Sequence, residues 1–141
     1  MQPTRARIAT FGIFALNGFT LGMWVVNIPT INDRTGVDQA TLGLFLLVLG
    51  GTAWVGMQLA GPAIDRFGSR PVLTCAACAL VLTVPGPGFA TDATQLVTAL
   101  AVLGFANGFI EVSMNSQAVV VERAYGRPIM AAFHAFFSLG G

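Results

Sequence analysis

The chain has 141 residues, 9% of them charged and 55% hydrophobic, with seven basic side chains, all arginine, against six acidic ones and a net charge of +1. Soluble domains are about a quarter charged, so no soluble domain is offered, and the absence of any basic run removes the electrostatic footprint that nucleic-acid binding needs. Whatever this chain does is done within or across a bilayer.

The first uncharged run is Ile8 to Asn32, 25 residues. A hydrocarbon core about 30 Å thick takes roughly 20 apolar residues of helix to cross, so the run predicts a membrane span. Arg5 and Arg7 precede it in the manner of a signal peptide. The run is too long for one and lacks a small-residue cleavage site, which predicts a retained signal-anchor. Asn17, Thr20, Trp24 and Asn27 fall within about 80° of one helical face. A ring flanked by amides suits a solute pathway, and interhelical hydrogen bonds with an interface tryptophan explain it equally well.

Between Asp38 and Asp65 lie 26 uncharged residues, and Gly43, Gly50, Gly51, Gly56 and Gly61 punctuate this second span. Small residues let backbones approach closely in lipid, so this helix is expected to be packed on several sides. A third run of 21 residues separates Arg70 from Asp92, with Pro71 placed for a first helical turn. Its Pro85-Gly86-Pro87-Gly88 either kinks the outer end of the helix or opens the outer loop. Cys75 and Cys78 form a CxxC inside this apolar run with no second pair and no nearby histidine, so they read as small apolar helix residues and no metal site or cofactor is expected.

The fourth span follows Asp92, with Thr91 or Asp92 as its cap, and it carries the one carboxylate that no loop can claim, Glu111. Ionisable groups at such depth are costly in lipid and mark ion or solute pathways. Asn107, Glu111 and Asn115 recur every four residues and share a face with Gly104 and Gly108, which predicts a polar, glycine-lined stripe facing a cavity. A carboxyl placed there suits proton coupling, and Glu111 is the candidate; a structural carboxylate bonded to neighbouring helices is the alternative reading. Pro128 is placed to start a fifth, truncated span in which His134 and Ser138 are i, i+4 neighbours. His134 reads as a proton relay or as a packing histidine.

The fold class is therefore all-α, a polytopic transmembrane helix bundle with four complete spans at about residues 8–30, 40–61, 71–90 and 94–120 and part of a fifth at 128–141. Six arginines, Arg5, Arg7, Arg66, Arg70, Arg123 and Arg127, fall on one face if the spans alternate. The positive-inside rule makes that face cytoplasmic, which predicts a multi-pass protein of the cell membrane with its N-terminus on the cytoplasmic side. Arg70 is expected to pair with Glu122 across that face.

The segment Gly61-Pro62-Ala63-Ile64-Asp65-Arg66-Phe67-Gly68-Ser69-Arg70 resembles the loop between the second and third helices of the major facilitator superfamily, G-x-x-x-D-[RK]-x-G-[RK]-[RK]. Gly61, Asp65, Arg66, Gly68 and Arg70 match, while Ser69 replaces a basic residue. The two glycines are expected to allow a tight reversal, and the resemblance implies a cytoplasmic gating loop in which Asp65 contacts the second half of the protein in one conformation. From Leu103 to Asn115 the sequence L-G-F-A-N-G-F-I-E-V-S-M-N is similar to the fourth span of the fucose permease branch, on Gly104, Gly108, Glu111 and Asn115. The stretch from Arg127 to Gly141 looks like relatives of unknown solute.

That branch implies proton-linked symport, with the proton on Glu111. Its sugar symporters also carry an aspartate in the first span, where this chain has uncharged residues around Trp24 and Val25. A facilitator has two six-helix halves about a central site, so the resemblance implies an N-terminal fragment whose partners are a small solute, a proton, the bilayer and a missing C-terminal half. Drug efflux, a dimer of small four-helix transporters and a non-transporting membrane adaptor are the competing readings. The small transporters place their essential glutamate in the first span, unlike Glu111. Ser138, His134 and Glu122 give no catalytic constellation, so no enzyme is expected.

Overall fold

A computed structural model describes residues 3–141, with side chains from residue 4 onward. The described residues form helices α1 (Pro3–Thr35), α2 (Gln39–Phe67), α3 (Ser69–Thr83), the short α4 (Gly86–Phe89), α5 (Ala93–Tyr125) and α6 (Met130–Gly140), with no strand among them. Among the described residues, four stretches are long and apolar enough to cross a membrane: Thr4–Thr35, Gln39–Phe67, Ser69–Phe89 and Ala93–Tyr125. The all-α bundle expected from the charge-free runs is therefore present. Each of these helices outruns its charge-free segment or meets a neighbour, because helix caps and not charges decide where helices stop.

Asp38 caps α2 by accepting the Thr41 N–H at 2.7 Å. Asp92 caps α5 by accepting the Gln95 N–H at 2.9 Å, and the Gln95 side-chain Oε1 accepts the Thr91 N–H in return, so both candidate residues contribute. Pro29 and Pro62 sit inside α1 and α2 without ending them. A missing N–H is tolerated where the helix has neighbours to re-satisfy its carbonyls. The ten-residue motif thus does not form a loop: α2 runs through Gly61 and Pro62 to Phe67, and the reversal rests on Gly68 alone. Gly68 has φ of +86°, a conformation that side-chain-bearing residues resist, and its N–H reaches Ile64. Gly61 is helical, and a Cβ there would meet open space.

The proline–glycine stretch after Thr83 ends α3 and forms α4, so it both breaks the third span and builds a separate turn. Pro128 lies ahead of α6, not in its first turn. The cap comes from Glu122 instead, whose carboxylate accepts the N–H groups of Ile129 and Met130, both at 2.7 Å.

Helix α5 is the hub, contacting α1, α2, α3, α4 and α6. One core layer joins Phe14, Leu73, Ala76, Leu80, Ile110, Met114 and Phe133, and a second, toward the other end, joins Ile31, Val37, Leu42, Leu96 and Leu100. Helix α2 is packed on α5 and more lightly on α3, leaving Leu44, Leu47, Trp54 and Leu59 exposed. The expectation of packing on several sides is not met, since of its five glycines only Gly56 meets a neighbour. Exposed large apolar side chains are what a lipid-facing wall requires.

Candidate functional site in the helix bundle

Asn17 and Glu111 form the polar centre of the bundle. Asn17 is fully buried at 0% exposure, and its amide donates to Glu111 Oε1 at 2.6 Å across the α1–α5 seam. Glu111 lies 18 residues from the start of α5, about 27 Å along a helix about 50 Å long, so the pair sits near mid-helix. The Asn17 amide also approaches Met114 Sδ at 3.8 Å, while Asn17 Oδ1 is buried without a partner. On its other side Glu111 lines an open cleft of about 570 Å³ with Asn115, Ser116, Met57 and Met130, at the junction of α5, α2 and α6.

The two packing seams flanking this centre explain its position. A Cβ on Gly108 would run into the Ala53 carbonyl, and one on Gly104 into the Leu49 carbonyl, so α2 lies backbone-to-backbone on α5. Gly104 and Gly108 were expected to line the cavity. They instead seal the upper part of the polar stripe against α2, and the stripe opens only below them, at Glu111 and Asn115. On the other flank, Gly18 and Gly22 of α1 take up the backbone of Phe137 and Gly141.

The remaining candidates divide. Asn115 donates to the Glu111 carbonyl at 2.8 Å and lines the same cleft. Asn107 Oδ1 is buried without a partner, one turn above Glu111. Thr20 and Asn27 spend their donors on their own helix, at Leu16 and Met23. Trp24 packs on the second core layer and, with Asn27, lines a separate cleft of about 350 Å³ beside α4. The first-span face is therefore split, with Asn17 at Glu111 and Trp24 elsewhere. His134 is exposed on α6, edge-on to Phe14 at 5.2 Å.

Of the motif residues, Asp65 and Arg66 are exposed on the last turn of α2, with the Arg66 guanidinium over the Phe67 ring at 5.2 Å. The expected Arg70–Glu122 pair is not formed, because Glu122 is occupied at the start of α6. Ser69, the departure from the motif, donates to Gln117 Oε1 of α5 at 2.8 Å, a contact that sequence reasoning missed. It also missed the repetition of Asn17-Gly18-Phe19 as Asn107-Gly108-Phe109, which was visible in the residues and marks the two glycine seams.

Fold and site together define a polytopic helical membrane protein with a polar pair inside its bundle. Among curated proteins, the chain is 36% identical to an uncharacterized MFS-type transporter of Yersinia pestis, over 96% of this chain and 35% of the relative. It is 34% identical to an uncharacterized transporter of Sinorhizobium fredii, over 90% of this chain and 34% of the relative. A chloramphenicol resistance protein of Streptomyces lividans is 28% identical over 88% of this chain and 31% of the relative. The chain thus spans about a third of the length of the curated relatives it matches. No family model and no solved structure matches it. MFS in the first of these names stands for the major facilitator superfamily, and the first two relatives are both named as transporters.

Proposed function

We propose that the chain is the N-terminal part of a secondary transporter that moves a small polar solute by alternating access, coupled to protons through Glu111. The observation that carries this reading is the Asn17–Glu111 hydrogen bond, a carboxylate and an amide held between helices at mid-span and open on one side to a cleft. An ionisable group in that position costs on the order of 3 kcal/mol on lenient insertion scales, which only a function or a fully satisfied network offsets. The network is not fully satisfied, since Asn17 Oδ1 and Asn107 Oδ1 lack partners. Both oxygens are buried, and the members of the network that a solute in the cleft would meet are Glu111 and Asn115.

In this reading, Asn17, Asn107, Asn115 and His134 line the solute and proton pathway, with Thr20, Trp24 and Asn27 farther along α1. The end bearing Arg5, Arg7, Arg66, Arg70, Arg123 and Arg127 faces the cytoplasm of the cell. Gly61, Asp65, Arg66, Gly68 and Arg70 form the gate that meets the C-terminal half, and Glu122 ties the α5–α6 connection beside it. Resemblance to the fucose permease branch supports symport. Similarity to the chloramphenicol resistance protein favours a second reading, efflux, with the same residues lining an outward path.

The test uses the protein expressed from the whole reading frame, assayed in vesicles. Glu111→Gln abolishes proton-driven uptake while part of the solute counterflow survives. Unchanged proton-driven uptake refutes the role of Glu111, and export without import in the unsubstituted protein selects efflux.

A further inference from the structure

A second polar cleft, of about 570 Å³, lies between α1, α3 and α5 at the arginine-bearing end, apart from the Glu111 cleft and sharing only Arg70 with the proposed gate. Its polar lining is Arg5 and Thr10 from α1, Arg70 and Thr74 from α3, and Gln117 from α5, and no carboxylate lines it. Neither guanidinium has an acidic partner among the described residues, and Glu122, the carboxylate expected for Arg70, is held by the Ile129 and Met130 N–H groups. Gln117 is buried and accepts from Ser69, which leaves its NH2 as a further donor. Arg70 belongs to the first turn of α3, which has no side-chain cap and no acidic residue, so the positive end of that helix adds to the field. Helices α1 and α3 both lie on α5 and scarcely touch each other, so the cleft is a gap in the bundle floored by Leu73.

We infer that this cleft binds a phosphate group, held between the Arg5 and Arg70 guanidinia with the Gln117 amide beneath. Arg5 and Arg70 are both exposed, so they stand at the open rim of the cleft, and two planar, permanently charged forks lining one space match the oxygens of a phosphate better than any neutral ligand. Basic pockets between membrane helices near the cytoplasmic surface are suited to anionic headgroups, so the phosphate belongs either to a lipid or to a free phosphoester. Occupancy would bridge α1 to α3, which the side chains leave unbridged. The inference needs the chain in a bilayer but does not need transport, so a failed uptake test leaves it standing.

The purified protein is reconstituted with equimolar phosphatidylglycerol and phosphatidylcholine, and the lipid it retains is counted by native mass spectrometry. Phosphatidylglycerol is retained over phosphatidylcholine. The preference falls roughly thirtyfold in the R5Q/R70Q double variant, the usual worth of two basic residues at an anionic surface. R127Q, which removes one exposed arginine outside the cleft, lowers it by no more than about fivefold, the worth of one basic residue at that surface. Inorganic phosphate that fails to strip the lipid identifies a headgroup site; phosphate that strips it and itself raises the Tm identifies a free-phosphate site. Equal retention of both lipids with no Tm response to phosphate, or a preference untouched in R5Q/R70Q, overturns the inference. Should the double variant fail to fold, a photoreactive phosphatidylglycerol on the unsubstituted protein decides: adducts at Ala9, Leu73 or Thr74 support the site, and adducts only elsewhere refute it.

Discussion

The α2–α5 and α1–α6 seams use one device and reach different ends. In each, a Gly-x-x-x-Gly on one helix, Gly104 and Gly108 or Gly18 and Gly22, receives the backbone of a neighbour running in the same direction. Lipid offers no hydrophobic drive between helices, so close backbone approach and the dispersion it brings are what hold them. The α1–α6 seam then adds aromatic packing, with Phe11 and Phe14 against Phe133 at 4.5 and 5.5 Å. The α2–α5 seam adds none of this and gives way to the Glu111 cleft. The residue four places after each asparagine marks the difference: Leu21 follows Asn17, and Glu111 follows Asn107. Glycine sets how close the helices come, and a single neighbouring position decides whether the seam is apolar or charged.

The largest effect should come from breaking the α2–α5 seam. Gly108→Leu forces a side chain into the Ala53 backbone and is expected to destabilise the bundle by on the order of 3 kcal/mol. Gly50→Leu, with open space around it, should be near neutral. Unfolding in mixed micelles measures both, and equal effects would remove the distinction between packed and lipid-facing glycines. A smaller effect separates the two asparagines. Asn17→Leu loses the bond to Glu111 and should cost about 1 kcal/mol, whereas Asn107→Leu removes an acceptor that has no partner and should cost less. A reversed order in the same assay would show that Asn107 is the bonded residue in solution.

The smallest expected effect lies outside the seams, at Asp38. The backbone N–H of Thr41 stabilises its ionised carboxyl and holds its pKa below the ordinary value. The contribution is therefore complete above the unfolded pKa of about 4 and fades as pH falls through the lower folded value. Asp38→Asn, which keeps a cap without a charge, should flatten that acid limb in a pH series of unfolding curves. An unchanged limb would assign it to other carboxylates.

The spans were legible because absence of charge over some twenty residues has only one common cause, and Asp38 and Asp92 were legible as boundaries because capping is local. What failed to read was nonlocal or depended on medium. Gly61-Pro62 looks like a breaker by the rules of water-soluble helices, yet α2 passes through it. Glu122 was matched to Arg70 by proximity to one face, whereas its two backbone partners lie seven and eight residues ahead, across a turn whose shape no pattern revealed. Gly104 and Gly108 shared a face with Glu111, as their spacing required. That α2 would cover the glycines and leave the carboxylate open depends on where two helix axes diverge, and spacing along one helix carries no such information.

The single residue joining α2 to α3 has a mechanical consequence. Three residues separate α1 from α2 and four separate α5 from α6, but Gly68 alone forms the α2–α3 joint. With no slack there, rocking of α2 on its glycine seam is passed to α3 as torque, unless the backbone dihedrals of that one residue absorb it.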